Sequence, residues 1–485
     1  MEKYVARDSV MEVDNKVGPR ERALVVGLTL AFALRAATLP GWDQPTGDAW
    51  NRYLGNAVAI AEGDWRSYQP WRGPVHAWLL LAVTPGVGTL VRAAQFVSLV
   101  AATAMLPLTW AIGRSIVGPT AAVVAVALLA TSPDLVLFGR FGITYALQGA
   151  LLLGGVGWMH AGCRLPPGRA ELRHYVAASA LLGLGTATDF RVAVLGAAAC
   201  VALAPWRPRV LAVPVFAVTV ATVVNALLPV PLVPLWRQVG VQRGLSAQIA
   251  ECPREGGNVF EFLRSCGPTL VHRNLHESIA ALPGGVVTLA VLATLAGVGL
   301  WTVGRRAAAS LSLPLLALAP SFVVIQLQHR YLLPVVGFAA LIVGAGLARL
   351  LRPWMAGVVV VALAVAWQAH PGSLWVQAWS PPGNTPRPGR IDSPDAASRV
   401  AAYVRANHGV GEPIVDCADI DLRERLFPIP VRREPAAPNR LTPKCVELLE
   451  VGGPGWLVVP GSMSQGANAT WGQATLGHLV VMRGR

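Results

Sequence analysis

The chain has 485 residues, of which 54% are hydrophobic and only 14% charged, and its mean hydropathy is +0.50. An ordinary soluble globule does not have this composition, so the sequence reads as a polytopic membrane protein. The net charge of +14 does not point to nucleic acid, because Lys and Arg fall in short clusters between apolar runs, as orientation signals do.

The polar stretch through Arg22 precedes the first apolar run, and no small-residue cleavage site follows that run, which reads as a cytoplasmic tail, 1–22, and a retained signal anchor. Runs of near-spanning length cover 23–39, 90–112, 120–135, 143–161, 175–187, 192–204, 210–228, 284–303, 307–327, 332–350 and 354–367. The two that flank Asp189, Phe190 and Arg191 read as a tight hairpin or as a broken helix.

Between the first two runs lies the stretch 47–81, around which the rest is expected to be organised. From Trp50 its apolar residues fall at 50, 53, 54, 57, 58 and 61, one helical face, with Asn51, Arg52, Asn56 and Glu62 off it. The spacing predicts an amphipathic helix opened by Asp48 and ended by Gly63, lying in the membrane interface with its apolar face toward lipid. Arg72, Gly73 and Pro74 follow, then a short apolar run, 74–83, that Thr84, Pro85 and Gly86 break.

Topology turns on that short run. If it crossed the membrane, Arg164, Arg169, Arg173, Arg207, Arg209, Arg305, Arg306, Arg349 and Arg352 would all lie outside. If it lies in the interface, they share a side with Lys3, Arg7, Lys16, Arg20 and Arg22, as the positive-inside rule requires. The second arrangement is the expected one: a transmembrane domain over 23–370 with about eleven spans, a cytoplasmic N-terminus, and external loops at 40–88 and 229–283. It places Cys252 with Cys266 in one external loop and Cys417 with Cys445 in the external tail, where disulfides persist, and leaves Cys163 and Cys200 as free thiols.

A Pro- and Gly-rich linker, 371–390, leads to a C-terminal segment, 391–485. There Ser393, Pro394 and Gly409 bracket a helix, strand-like runs occupy 413–415, 455–459 and 478–482, and a further helix fits 443–450. Together they predict a small extracytoplasmic α/β domain. The fold class is thus an all-α polytopic membrane protein with a small α/β domain at its end.

The unusual polar residues gather at the external boundary: Arg35, Asp48, Arg72, Asp134, Arg140, Asp189, Arg191, and the run Gln328, His329, Arg330, Tyr331. Taken singly, Asp48 is a good helix cap, Arg72 and Arg330 are residues that snorkel, Asp189 with Arg191 is a local ion pair, and Tyr and Trp form the aromatic belt. Their common side argues for a site at the outer surface rather than a path through the bilayer, since transporters place ionisable groups near the midplane. No phosphate-binding Gly-rich loop, zinc-spaced Cys or His pair, Gly-x-Ser-x-Gly elbow or dinucleotide fingerprint occurs.

Asp48, the Arg72-Gly73-Pro74 element, the stretch WAIGRSIVGPTAAVVAVALLATSPDLVLFGRFG and the late QHRYLLPVVGFAALIVGAGLARLL together resemble the GT-C membrane glycosyltransferases, in the branch of the protein O-mannosyltransferases and lipid A aminoarabinose transferases. The resemblance implies a GT-C-like helical core and sugar transfer from a polyprenyl-phosphate donor to an acceptor hydroxyl outside the cytoplasmic (inner) membrane. It implies that Asp48 is the catalytic carboxylate and that Arg72 contacts donor phosphate; Arg330 and Arg140 are expected to join Arg72 at that phosphate. Tyr53, His329, Tyr331, Asp189 and Arg191 are expected around the substrate. The chain departs from the pattern at Ala49, where a second acidic residue is usual, and at Thr144 and Tyr145, where related enzymes often carry an Asp.

An external active site needs a donor already carried across the membrane, which a lipid phosphate supplies, and an Arg fork suits its anionic leaving group. A single carboxylate suffices as base for an inverting displacement. No metal ligand set is read and no cofactor is expected, a divalent metal being left open. The expected partners are the lipid-linked donor, a lipid, glycan or protein acceptor and membrane lipids, with no nucleic acid. Two rival readings are a transporter or flippase of lipid-linked or small solutes and a GT-C-like scaffold without catalysis. Release of polyprenyl phosphate from a labelled donor separates the enzyme from both.

Overall fold

In the computed structural model, the described residues are 18–39, 53–65, 68–69, 72–229, 259–280, 282–319, 329–370, 396–409, 412–417, 426–427, 429, 431–433, 445–447, 455–460, 471–476 and 479–484. Asp48, Trp50, Cys252, Ser393 and the linker 371–390 fall outside them.

Helix α1 (Pro19–Thr38) begins on a proline, with Glu21 in its first turn and Arg35 in its last, the order that suits its dipole. Glu21 accepts a hydrogen bond from Trp110 Nε1 at 2.6 Å and pairs with Arg114 at 3.0 Å. Those contacts tie the start of α1 to the end of α4 (Leu90–Ile116), whose N-cap Thr89 accepts from the Arg92 N–H.

Helices α2 (Gly55–Glu62) and α3 (Pro74–Val87) occupy the first loop. Gly63 ends α2 in the left-handed region at φ 67°, as expected. The apolar face of α2 does not look outward, however: Leu54, Ala57 and Val58 are buried against Ala77, Leu80, Leu90, Val91, Ala94 and Val97. Asn56, expected on the polar face, is buried as well, because it clamps the chain that follows: its side-chain amide donates to the Gln69 carbonyl at 3.1 Å and accepts from the Gln69 N–H at 2.8 Å. Helix α3 also runs on through Thr84, Pro85 and Gly86 to a left-handed Gly88. Pro85 falls in its last turn, where it removes little of the ladder. The helix is still only about 21 Å long by its rise, short of a hydrocarbon core of about 30 Å.

The run 120–135 is split into α5 (Pro119–Thr131) and α6 (Pro133–Phe138), because Ser132 caps a new helix and Pro133 starts it. Next come α7 (Tyr145–Arg164), α8 (Arg169–Thr186), α9 (Arg191–Leu203) and α10 (Ala212–Ala226), the last preceded by a 3-10 turn at Pro208–Leu211. The choice left open at Asp189 resolves as a tight turn between two helices. Two helices not foreseen, α11 (Val259–Ser265) and α12 (Gly267–Ala280), lie within the second loop. The bundle closes with α13 (Val286–Thr302), α14 (Arg305–Leu316), a 3-10 segment at His329–Val335, α15 (Val336–Leu350) and α16 (Pro353–Ala369).

Among the described residues, Leu90–Ile116, Pro208–Ala226 and Tyr331–Leu350 are long and apolar enough to cross a membrane, and five further apolar helices are shorter. Helices α13 and α15 pack backbone to backbone: a Cβ on Gly299 would stand 2.0 Å from the Ile342 carbonyl oxygen, and one on Gly346 2.0 Å from that of Leu295. Such contacts between small residues are the usual means of joining helices in lipid. The outer faces expose Leu30, Val215, Val287 and Trp301, a liability in water and the proper surface in a bilayer.

The C-terminal domain contains α17 (Ala396–Asn407) and a five-stranded sheet of order β2-β1-β3-β5-β4, with β1 (Ile414–Asp416), β2 (Val431–Arg433), β3 (Gly455–Pro460), β4 (Trp471–Leu476) and β5 (Leu479–Gly484). β1 pairs in parallel with β2 and β3, whereas β3–β5 and β4–β5 are antiparallel. The expected α/β character is observed, with β2 and β4 added. Val400, Ala401 and Val404 of α17 pack on Ile414, Trp456, Val458 and Val481. Cys417 and Cys445 form the expected disulfide on the sheet's other side, beside Leu457 and Val459. Phe427 packs against the α2–α3–α4 cluster, which seats this domain over the first loop.

Candidate functional site

Three segments far apart in sequence meet where the first loop touches the α8–α9 turn. The contact depends on Gly73: a Cβ there would lie 1.7 Å from the Ala187 carbonyl oxygen, so no other residue permits the approach. Pro74 then starts α3, and the Val75 N–H donates to the same carbonyl at 3.4 Å. Arg72, one residue before the glycine, is thereby carried onto Asp189.

Arg72 Nη1 donates to Asp189 Oδ2 at 2.6 Å. Arg191 Nη2 reaches the same oxygen at 2.9 Å, and its Nε and backbone N–H reach Oδ1 at 3.0 and 3.1 Å. Both oxygens of Asp189 are therefore taken, and the carboxylate is 2% exposed. Burial alone would raise its pKa, but Arg191 and Arg72 outweigh burial and hold it at about 2. Two guanidinium groups on one carboxylate leave one positive charge in excess. Among the described residues the buried Arg72 Nε has no hydrogen-bond partner, so beside this excess charge Arg72 keeps donor capacity for an anion.

Aromatic rings fix both arginines. The Arg191 guanidinium lies 4.8 Å from the centre of the Tyr145 ring and 4.9 Å from that of Tyr331, and these two rings meet edge to face at 5.5 Å. The Arg72 guanidinium lies 5.1 Å over Tyr53, which in turn meets His76 edge-on at 5.4 Å. The Tyr68 hydroxyl donates to the Arg72 carbonyl at 2.7 Å. His76 is 2% exposed, and among the described residues neither ring nitrogen has a hydrogen-bond partner.

Of the residues expected at the site, Arg72, Asp189, Arg191, Tyr53 and Tyr331 are thus in mutual contact. Asp189 and Arg191 were expected to line the substrate; their donors and acceptors are instead largely spent on each other and on Arg72, so they hold that residue in place. His329 and Arg330 belong to the 3-10 segment that delivers Tyr331. Arg140 is buried elsewhere, donating to the Leu39 carbonyl at 3.1 Å, at the residue where the loop bearing Asp48 leaves α1. Asp48 itself lies outside the described residues, as does Cys252; Cys266 is disulfide-bonded, and Cys163 and Cys200 are free and buried. Among the described residues no group of three or more His, Cys, Asp or Glu could hold a metal.

Sequence reading missed four residues in or beside the site: Tyr68, which lies in a short polar stretch, His76, Asn56 and Tyr145. His76 is hidden in an apolar run, and Asn56 has no periodic signal. Tyr145 had one: it stands where the resembling enzymes often carry an acid, and here the position supports Arg191 through its ring.

No protein-family model matches the sequence, and no curated protein does. Among solved structures the chain resembles ArnT from Cupriavidus metallidurans bound to undecaprenyl phosphate, with a TM-score of 0.63 and 14% identity over 96% of this chain and 98% of that one. The apo form of ArnT gives a TM-score of 0.61 and 16% identity over 95% and 97% of the two chains. The oligosaccharyltransferase of Archaeoglobus fulgidus tethered to an acceptor peptide gives 0.50 and 11% identity, over 85% of this chain and 63% of that one. ArnT and this oligosaccharyltransferase are GT-C superfamily members, and the fold of this chain is the GT-C fold.

Proposed function

We propose that the chain is a GT-C glycosyltransferase that moves a sugar from a polyprenyl-phosphate donor to an acceptor hydroxyl at the outer face of the cytoplasmic membrane, with inversion. The observation that carries this reading is Arg72: a buried guanidinium, locked by Asp189 and Tyr53, with an unused Nε and a net positive surrounding. A fixed donor fork in a partly dry site is suited to a lipid phosphate that gains a second negative charge as it leaves. The likeness to ArnT, a fold whose crystal structure holds undecaprenyl phosphate, supports the same donor class.

In the proposed reaction the acceptor oxygen attacks the anomeric carbon from the face opposite the phosphate, forming the new C–O bond as the sugar–phosphate bond breaks. The electron pair leaves on the lipid phosphate, whose growing charge Arg72 meets, and the acceptor proton passes to Asp48. The topology proposed with it has eleven crossings, a cytoplasmic N-terminus and an external C-terminal domain, the side on which the Cys417–Cys445 disulfide would persist.

The test is purified wild type against Asp48→Asn with a panel of polyprenyl-phosphate sugars, following lipid phosphate release and thermal stability together. Asn keeps a capping oxygen but not the base, so turnover should fall by about a hundredfold to ten-thousandfold with little change in melting. Undiminished transfer by folded Asp48→Asn removes the proposal, and no lipid phosphate release from any donor by the wild type leaves the transporter or scaffold reading standing.

A further inference from the structure

Helix α7 carries Tyr145 at one end and Arg164 at the other, about 30 Å apart by helical rise. At the far end a second cluster forms from α7, α8, the α9–α10 connection and the start of α14. Among the described residues it contains Arg164, Arg207, Arg209 and Arg306 against one carboxylate, Glu171.

That carboxylate is already used. It accepts from the Tyr175 hydroxyl at 3.2 Å and pairs with Arg209 at 3.3 Å. Arg207 spends donors on the C-terminal end of α7, reaching the Cys163 and Leu165 carbonyls at 3.1 Å each. Arg164 donates to the Ser115 carbonyl. Arg306 has neither a hydrogen bond nor an ion pair among the described residues; its guanidinium lies 5.5 Å over the Trp206 ring. His160 lies within electrostatic reach of both Arg164 and Arg306, is 3% exposed, and among the described residues has no hydrogen-bond partner on either nitrogen. Two like charges and an imidazole with unused polar atoms thus stand together where, among the described residues, Glu171 is the one carboxylate and is already paired with Arg209.

We propose that this end of the bundle binds the phosphate of an anionic glycerophospholipid, between Arg306 and Arg164 with His160 behind them. A phosphate supplies the acceptor oxygens that these groups lack and cancels their mutual repulsion. The surroundings favour a lipid over a free ion. Trp301, 90% exposed, is in the last turn of α13 just before Arg305 and Arg306, and Leu211, Val215 and Phe216 expose an apolar face at the start of α10. Acyl chains can cover those surfaces, whereas a free phosphate leaves them bare. The site is separate from the Arg72 cluster and does not rest on the proposed transfer reaction.

The experiment uses the full chain, purified in detergent and stripped of lipid, with phosphatidylglycerol or phosphatidylcholine of the same acyl chains, counted by native mass spectrometry. The wild type should retain phosphatidylglycerol in preference. Arg306→Ala should lower that retention about fivefold, the worth of one basic residue at an anionic membrane surface. Trp206→Leu should lower it less, and Arg352→Ala, at the same end but outside the cluster, should leave it unchanged. Melting of each variant checks folding. Equal retention of phosphatidylcholine overturns the preference for an anionic lipid and with it the site, and an equal loss in Arg352→Ala overturns the site in favour of diffuse surface charge. Inorganic phosphate that binds the stripped protein as tightly and displaces the lipid overturns the lipid as occupant.

Discussion

Two carboxylates in this protein are held in nearly the same way, and they differ mainly in burial. Asp189 is gripped by Arg72 and Arg191, with aromatic rings against both. Glu412, in the C-terminal domain, accepts from Arg483 at 2.6 Å, from Trp456 Nε1 at 2.6 Å and from the Gly409 N–H at 2.9 Å, and Arg483 lies over the Trp456 ring. Each pKa is held at about 2, for Glu412 first by the Gly409 N–H and then by Arg483 and Trp456. Yet Arg483 is 46% exposed and Arg72 only 7%. The lesson is that an equal perturbation does not mean an equal role. Water can replace any partner of Glu412, but at Asp189 nothing can, so the buried cluster fixes the relative positions of segments that the exposed one merely decorates.

Removing the buried member should have the largest effect. Asp189→Ala leaves two guanidinium groups buried without their anion, which is expected to cost about 3–5 kcal/mol of stability in unfolding experiments in detergent. On the proposed function it should also raise the apparent donor requirement, because Arg72 loses its anchor. A stable Asp189→Ala protein would break the contrast with Glu412 at its root.

The next effect concerns how the cluster is assembled. Gly73→Ala places a methyl group on the Ala187 carbonyl and should push α3 off the α8–α9 turn, an overpacking cost of about 1–3 kcal/mol. The chemistry of Arg72 is untouched, so weakened donor binding in this variant would report position alone. A variant with wild-type melting and wild-type donor binding would show that the close approach is not needed.

Much of this arrangement was readable in the chain, and the unread part has physical reasons. The apolar runs located most of the long bundle helices, because lipid demands long apolar stretches, but they did not show the break at Ser132 and Pro133 or the two helices at Val259–Ser265 and Gly267–Ala280. Arg72, Gly73 and Pro74 stood out as a motif, and Asp189 with Arg191 as a charged break between two runs. What could not be read was that they touch, since Arg72 and Asp189 are 117 residues apart and no local periodicity encodes such a contact. The outward-facing reading of α2 failed for a related reason: Asn56 is polar but spends its amide on the Gln69 backbone, so its burial follows from a partner and not from its hydropathy. In the C-terminal domain β2 is only Val431–Arg433 and β4 reads WGQATL, too short or too irregular for alternation to show.

The smallest effect is the most discriminating test of the comparison, because acid acts on both carboxylates over the same range. A carboxylate held at about 2 in the folded protein, against an ordinary value near 4, contributes stability that is fully present above about pH 4 and is lost as pH falls toward 2. Melting measured from pH 5 to pH 2 should therefore fall for the wild type. Asp189→Asn removes the titrating group from the buried cluster, so its melting should start lower and decline less steeply over that range. Glu412→Gln removes an equally perturbed carboxylate at a solvated surface, where screening shrinks the linkage, and it should follow the wild-type curve closely. If Glu412→Gln flattened the acid decline as much as Asp189→Asn, burial would not be what separates the two clusters, and the hydrogen-bond donors around each carboxylate would set its acid response whatever the burial.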